Sequence, residues 1–161
     1  DRNSHYFARE LHYSGRHRSA LQEFYRHVGM AHAWDREKAQ SMIFIGDCHL
    51  ALRDDHQALH AWHEAFEMDG TRREPLMRLA GYHYRKANHS RAAAYSHAAL
   101  VLPSQGFYFD LSENYQHLPH EILYVSLWWM GQREESRRHW KKALQFAPEN
   151  AKYVADEVFY R

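Results

Sequence analysis

The sequence predicts an all-α protein: a right-handed α-solenoid of four helical hairpins with a C-terminal capping helix. Three observations point there. Proline and glycine are scarce, four and seven in 161 residues, and the period-two alternation of a half-buried strand is hard to find. Apolar residues instead follow a helical stripe, as where Ala58, Leu59, Trp62, Ala65 and Phe66 fall at i, i+1, i+4, i+7 and i+8. That stripe recurs along the chain, with a fixed spacing inside each pair of helices and variable connections between pairs.

The first hairpin spans residues 3–30. Asn3 or Ser4 caps a helix whose inner face holds Phe7, Ala8 and Leu11, Gly15 ends it, and the returning helix carries Ala20, Leu21, Phe24 and Val28. The second, 36–68, repeats the pattern 38 residues on: Ile45-Gly46 for Phe7-Ala8, Ala58-Leu59 for Ala20-Leu21, Trp62 for Phe24 and Ala65 for His27. Its helices meet at Arg53-Asp54-Asp55, a polar turn short enough to make them antiparallel neighbours. Gly46 and Ala58 mark the closest backbone approach, and Trp62 is large enough to reach the next hairpin. The third, 73–101, places Leu79-Ala80, Ala92 and Ala99-Leu100 a further 34 residues on. The fourth, 120–147, has Leu123-Tyr124, Gly131, Ser136, Trp140 and Ala143-Leu144, 44 residues beyond their equivalents where these exist. Pro148 lies just past its end, where proline cannot extend a helix.

Two stretches lie outside the repeat. Residues 102–119 form a long loop rich in aromatics, with Phe107, Tyr108, Phe109 and Tyr115; it either packs back on the stack or serves as a ligand lid. Residues 149–160 read as the capping helix, with Val154, Val158 and Phe159 on one face closing the end of the stack.

Composition limits the function classes. A hydrophobic fraction of 45% and a charged fraction of 25% describe a globular chain, here one domain over 1–161. Twenty-one Lys and Arg against 20 Asp and Glu leave a net charge of +1, which is no footprint for nucleic acid. Fifteen histidines add positive charge as pH falls through about 6.5. A lone Cys48 excludes an internal disulfide and a cysteine-based zinc cluster; it reads as a small buried hydrophobe and fits a reducing compartment, the cytoplasm. No apolar run reaches the roughly 20 residues a membrane span needs, and no signal peptide is visible. The opening Asp1-Arg2-Asn3, without methionine, suggests a fragment of something longer.

The small residues at Ala8, Gly46 and Ala80, the alanines at 20, 58 and 92, the aromatics Phe24, Trp62 and Trp140, and Pro148 resemble the tetratricopeptide repeat, whose basic period is 34 residues. The resemblance covers essentially the whole chain. In detail, YFARELHYSGRHRSALQEF, IGDCHLALRDDHQALHAW, RREPLMRLAGYHY and LPHEILYVSLWWMGQREES resemble the repeat region that follows the catalytic domain in many bacterial family 2 glycosyltransferases. The Arg-Arg-Glu-Pro junction at 72–75 and the aromatic loop ending in Leu118-Pro119-His120 match as well. Tyr124 departs from the usual small residue, Ser96 from the bulky filler, and His27 and Ser136 from alanine. In that family sugar transfer from a nucleotide-sugar donor belongs to a separate α/β domain, so the resemblance implies an accessory role, no catalytic residue and no cofactor here.

The remaining chemistry agrees. Asp54-Asp55 is an N-cap rather than a metal-binding acid pair. His56, His60 and His63, at i, i+4 and i+7, share a face that reads as solvated, so no metal site is expected. No GxSxG or Cys-His context and no glycine-rich phosphate loop is present. In stacked hairpins the first helix of each pair lines the concave side. That places His5, Arg9, His12, Tyr13, Asp47, Arg78, Arg85 and Trp128 as groove candidates. Arginines among aromatics suit a carboxylate-bearing or glycosylated ligand; alternatively these groups solvate the groove or pair with Glu10, Glu74 and Glu121. Repeats that clamp chaperone C-termini use Lys and Asn at matching sites, whereas here stand His5, Arg9, Phe44 and Glu74, and only Arg78 agrees. The expected function is a non-catalytic scaffold module of a glycosyltransferase, binding a protein, peptide or glycan acceptor. The alternatives are a free-standing peptide adaptor and a homo-oligomer that self-associates.

Overall fold

The computed structural model describes residues 2–161, and among them there are helices and no strands. The helices are α1 (Arg2–Tyr13), α2 (His17–Val28), α3 (Asp35–Ala51), α4 (Asp55–Met68), α5 (Glu74–Arg85), α6 (His89–Leu100), α7 (His117–Trp129), α8 (Arg133–Phe146) and α9 (Ala151–Ala155), with 3-10 turns at Ser112–Tyr115 and Asp156–Tyr160. They fall into two compact units, the first ending at Thr71 and the second running Arg72–Arg161. Each unit holds two helical hairpins, and the first helix of its second hairpin packs on both helices of its first. The all-α expectation therefore holds, with consecutive helices packed on one another within each unit. No helix among the described residues is long and apolar enough to cross a membrane.

The same turn closes all four hairpins. Gly15, Arg53, Ala87 and Gly131 have φ of 77°, 63°, 55° and 79°. At the first, Gly15 N–H donates to His12 O at 3.0 Å and Arg16 N–H to Leu11 O at 2.9 Å. The same pair of bonds recurs at Arg53-Asp54, Ala87-Asn88 and Gly131-Gln132. One left-handed residue thus satisfies the orphan carbonyls of the first helix and reverses the chain. These residues are spaced by the 38, 34 and 44 positions of the sequence repeat. Glycine adopts this conformation freely; Arg53 and Ala87 hold it at about 1–2 kcal/mol. At their turns the next residue caps the returning helix, Asp54 accepting from Gln57 N–H and Asn88 from Arg91 N–H.

The helices of a hairpin touch at small residues. Ala8, Ala80, Ala20, Ala58, Ala92 and Ser136 are fully buried. Gly46 is buried too, and a Cβ there would overlap the Trp62 indole. Trp62 therefore packs inside its own hairpin, where its Nε1–H donates to Ile43 O and Asp47 Oδ1, both at 3.2 Å. Phe24 instead reaches the following hairpin, stacking on Phe44 with ring centroids 5.3 Å apart. His27, in an alanine position, is accommodated by a hydrogen bond between its Nδ1 and Ser41 Oγ at 2.9 Å. Ser136, in another, donates to Tyr124 O at 2.6 Å.

Two expected faces are rotated. Phe7 is 55% exposed, and the inner face of α1 is Ser4, His5, Ala8 and Leu11. The expected capping helix is α9 followed by a 3-10 turn, and the tighter winding shifts its periodicity. Val154, Val158 and Phe159 are exposed, while Tyr153 and Tyr160 are buried. The two tyrosines win because each hydroxyl finds a partner: Tyr153 donates to Glu121 Oε2 at 2.6 Å, and Tyr160 shares a 2.7 Å bond with Ser136.

The aromatic loop packs back on its own unit. Glu74, buried at the start of α5, accepts from Leu111 N–H at 3.0 Å and from the Tyr115 hydroxyl at 3.1 Å. Arg73 donates to the carbonyls of Leu100, Leu102 and Asn114. Arg72 lies 4.2 Å over the Phe109 ring, with its Nε 3.4 Å from Glu74 and 3.5 Å from Asp110. Burial lowers the Arg73 pKa, but its partners keep the charge matched. The helix after the loop begins at His117, ahead of Pro119, because a proline in the first turn removes an N–H with no helical partner.

Two substitutions should move stability in opposite directions. Gly46→Ala forces the Trp62 indole aside and should destabilise by about 1–3 kcal/mol. Ala87→Gly relieves the left-handed turn and should stabilise by about 1 kcal/mol. Urea unfolding of both variants beside the parent reads the signs.

Candidate functional site

The fourth hairpin is where the repeat is most altered, and an open surface forms there. Helix α7 is apolar on several sides. Leu123 and Leu127 pack with Ala93 in one cluster, and Tyr124 joins Trp140, Ala143, Tyr153 and Tyr160 in another. Its remaining face carries Glu121, Val125 and Trp128. Asn150 caps α9 by accepting from Lys152 and Tyr153 N–H, and side chains of this last segment, Lys152, Tyr153 and Asp156, reach Tyr124 and Glu121 of α7. Between them lies a cleft of about 380 Å³, walled by Tyr84, Tyr124, Trp128, Trp129, Phe159 and Tyr160 and floored by Lys152 and Asp156.

The floor is a closed polar network. Lys152 Nζ donates to Tyr124 Oη at 2.6 Å and lies 3.2 Å from Glu121 and 3.7 Å from Asp156. Tyr124 donates to Asp156 Oδ2 at 2.5 Å and Tyr153 to Glu121 Oε2 at 2.6 Å. Burial first, then the hydrogen bonds to these carboxylates, raises the pKa of both phenols. Both stay neutral donors. The Tyr84 phenol is pushed up as well, by burial and then by Glu121 and Asp156. Above the network, Trp128 meets Phe159 and Tyr160 edge-on, and the Arg133 guanidinium lies 3.4 Å over its ring.

A second hollow of about 300 Å³ adjoins the first and shares Tyr84. Arg78, Arg85 and Glu121 line it. Three of the eight groove candidates, Arg78, Arg85 and Trp128, therefore lie on one surface of the second unit, on either side of Tyr84. Tyr84, Tyr124, Lys152 and Asp156 were not anticipated as site residues. The one sequence signal for them was Tyr124, a large group in a small-residue position.

The other five candidates belong to the first unit and are engaged differently. His5 is buried and hydrogen-bonded to Ser41 Oγ at 2.8 Å. His12 contacts Cys48 Sγ at 3.2 Å, and Asp47 accepts from Trp62. Arg9 lies 4.8 Å over the Tyr6 ring and 3.7 Å from Glu10. Tyr13 is 66% exposed and offers its ring to solvent.

Metal-ligating side chains gather in two places among the described residues, His12, His17 and Cys48 in the first unit and His97, Glu135 and His139 in the second. The second group is half-exposed, at a cleft also lined by Arg138, Lys141 and Lys142. His139 also hydrogen-bonds His120 at 2.8 Å. Burial, then His139, lowers the His120 pKa to about 4, so this pair is neutral at pH 7. His56, His60 and His63 are exposed on α4. No protein-family model matches the chain, and no curated protein matches it either.

The placement of His5 has a measurable consequence. Burial, then the neighbouring His27, lowers its pKa from 6.5 to about 4, and burial lowers that of His27 too. Above pH 6.5 both states leave His5 neutral, and it contributes no pH dependence. As pH falls from 6.5 towards 4, the unfolded chain binds a proton that the folded one refuses. Stability should therefore fall across that window, by on the order of 3 kcal/mol for this group, and level off below it. Thermal unfolding at stepped pH should record the decline, and His5→Gln should make it shallower while the share of His27 and His120 remains.

Proposed function

We propose that this chain is a non-catalytic interaction module of the tetratricopeptide type, accessory to a nucleotide-sugar-dependent glycosyltransferase, and that its second unit holds an acceptor glycan in the Tyr84–Trp128 cleft. The observation that carries this reading is the cleft itself. Sugar rings are recognised by aromatic faces that cover their C–H surfaces and by neutral or paired polar groups that bond their hydroxyls. Tyr84, Trp129 and Phe159 supply the first kind of group, and the Tyr124–Asp156–Lys152–Glu121 network the second. Two further features support the assignment to a glycosyltransferase. The Arg-Arg-Glu junction and the aromatic loop, both part of the sequence resemblance, bind each other. The repeat spacing recurs in the backbone as four equivalent turns.

A second reading, a free-standing adaptor for peptides, is favoured by Arg78 and Arg85 in the adjoining hollow, since guanidinium groups bind carboxylates with two parallel hydrogen bonds. One experiment separates the two. The purified chain is applied to a glycan array and to a peptide array with free C-termini, and binders are re-titrated by tryptophan fluorescence. Glycan binding should weaken tenfold or more in Trp128→Ala and Tyr84→Ala, with helicity by circular dichroism unchanged. Peptide binding lost in Arg78→Ala, with no glycan bound, transfers the proposal to the adaptor. Binding that neither set of variants alters rejects the cleft.

A further inference from the structure

Three helix ends in the first unit converge on one thiol. His12 comes from the last turn of α1, His17 opens α2, and Cys48 lies in the last turn of α3. One ligand atom from each lies within 4.8 Å of the other two. The Cys48 side chain is fully buried, with His12 Nδ1 3.2 Å from its sulfur. The His12 and His17 rings meet edge-on with centroids 5.3 Å apart. His17 Nδ1 is buried and has no hydrogen-bond partner. An orphaned buried nitrogen is unfavourable unless something satisfies it, and it belongs to a ring that brings a ligand nitrogen within 4.8 Å of a sulfur and a second imidazole.

We propose that His12, His17 and Cys48 form a zinc(II) site with a fourth position open to water. The donor set selects the ion: one sulfur and two imidazoles, without a carboxylate, suit zinc and not magnesium or calcium. In tetrahedral zinc, bonds of about 2.3 Å to sulfur and about 2.0–2.1 Å to nitrogen put these donors roughly 3.3–3.6 Å apart. The His12–Cys48 spacing of 3.2 Å is already close to that. His17 completes the set by a small side-chain rotation, which its place at a helix start permits. His17 also lines a shallow cleft of about 340 Å³ with Gly15, Arg16, Arg18 and Leu52, the side of the site nearest solvent. The two arginines there are exposed and screened by solvent.

The binding step balances without redox chemistry. Burial, and then Asp47, push the free Cys48 thiol up to about 12, so it carries its proton at pH 7. Zinc forms a bond to sulfur as that S–H proton leaves to solvent, and both imidazoles donate lone pairs from their neutral forms. The bound ion ties the first hairpin to α3, so the folded state gains stability from zinc by linkage.

The test uses the full chain, reduced and freed of metal. Titration with cobalt(II) should give one equivalent of binding with an intense near-ultraviolet sulfur-to-cobalt charge-transfer band, which zinc then bleaches. Zinc should raise the melting temperature and release one proton per chain. Cys48→Ser should abolish the band, and His17→Gln should weaken zinc binding at least tenfold. His17→Gln lies half-buried at a helix start, so it keeps the test decidable should the buried serine variant fail to fold; circular dichroism checks this. His139→Gln should leave the band intact. Cobalt bound without a thiolate band, zinc affinity unchanged in His17→Gln, or a band lost in His139→Gln would each overturn the site.

Discussion

Every hairpin in this protein depends on two backbones coming into contact, and side-chain volume at one pair of positions decides whether they can. Ala8 and Ala20 of the first hairpin are fully buried, and at Gly46 of the second even a methyl group would overlap the Trp62 indole. Close approach lets an aromatic one turn further along fill the remaining space, as Trp62 does over Gly46 and Phe24 does against Phe44. The left-handed residue at each turn is the backbone counterpart of the same constraint, because a reversal this tight leaves no other way to satisfy the last carbonyls of the first helix. Side-chain size and turn geometry therefore share one period.

The fourth hairpin shows what happens when the constraint is relaxed. Tyr124 occupies the position of Gly46, and the space is rebuilt around its ring. Ser136 ties back to the Tyr124 carbonyl, Trp140 turns its Nε1–H to the Tyr153 carbonyl at 2.8 Å, and Tyr160 stacks on Trp140 at 5.0 Å. A tyrosine brings a hydroxyl with it, and that hydroxyl must be satisfied. Asp156 and Lys152 do so, and in doing so they bring polar groups to the floor of an aromatic cleft. The departure that looks like a packing fault in the sequence is thus the origin of the candidate site.

Legibility followed the same division. The hairpins, the small-residue contacts and the closing turns could be read because volume and spacing are properties of the sequence itself. The inner face of α1 could not, since His5 and Phe7 compete for it and only the distant Ser41 hydroxyl, which meets both His5 and His27, decides for the histidine. The end of the chain was misjudged for a related reason. Val154, Val158 and Phe159 make the better apolar stripe, yet Tyr153 and Tyr160 have hydrogen-bond partners in Glu121 and Ser136, and a 3-10 turn brings both inward. Nor could the left-handed backbone at Arg53 and Ala87 be read from residue type, since only the closing bonds of the turn impose it. Of the site, Arg78, Arg85 and Trp128 were visible as residue types, but the group that joins them, Tyr84, ends the RREPLMRLAGYHY segment, where nothing marks it as a site residue.

The charge arrangement then determines what the surface is suited to hold. In the cleft floor the Lys152 ammonium lies between two carboxylates, and each carboxylate also accepts from a phenol. A charged ligand entering there would compete with pairs that already exist, and because Lys152 is 44% exposed that competition is screened by solvent rather than forbidden. A neutral ligand rich in hydroxyls needs only to add hydrogen bonds at the edge of the network while lying flat on the aromatic walls. The adjoining hollow differs, because Arg78 and Arg85 present donor-rich guanidinium groups beside a single carboxylate, Glu121.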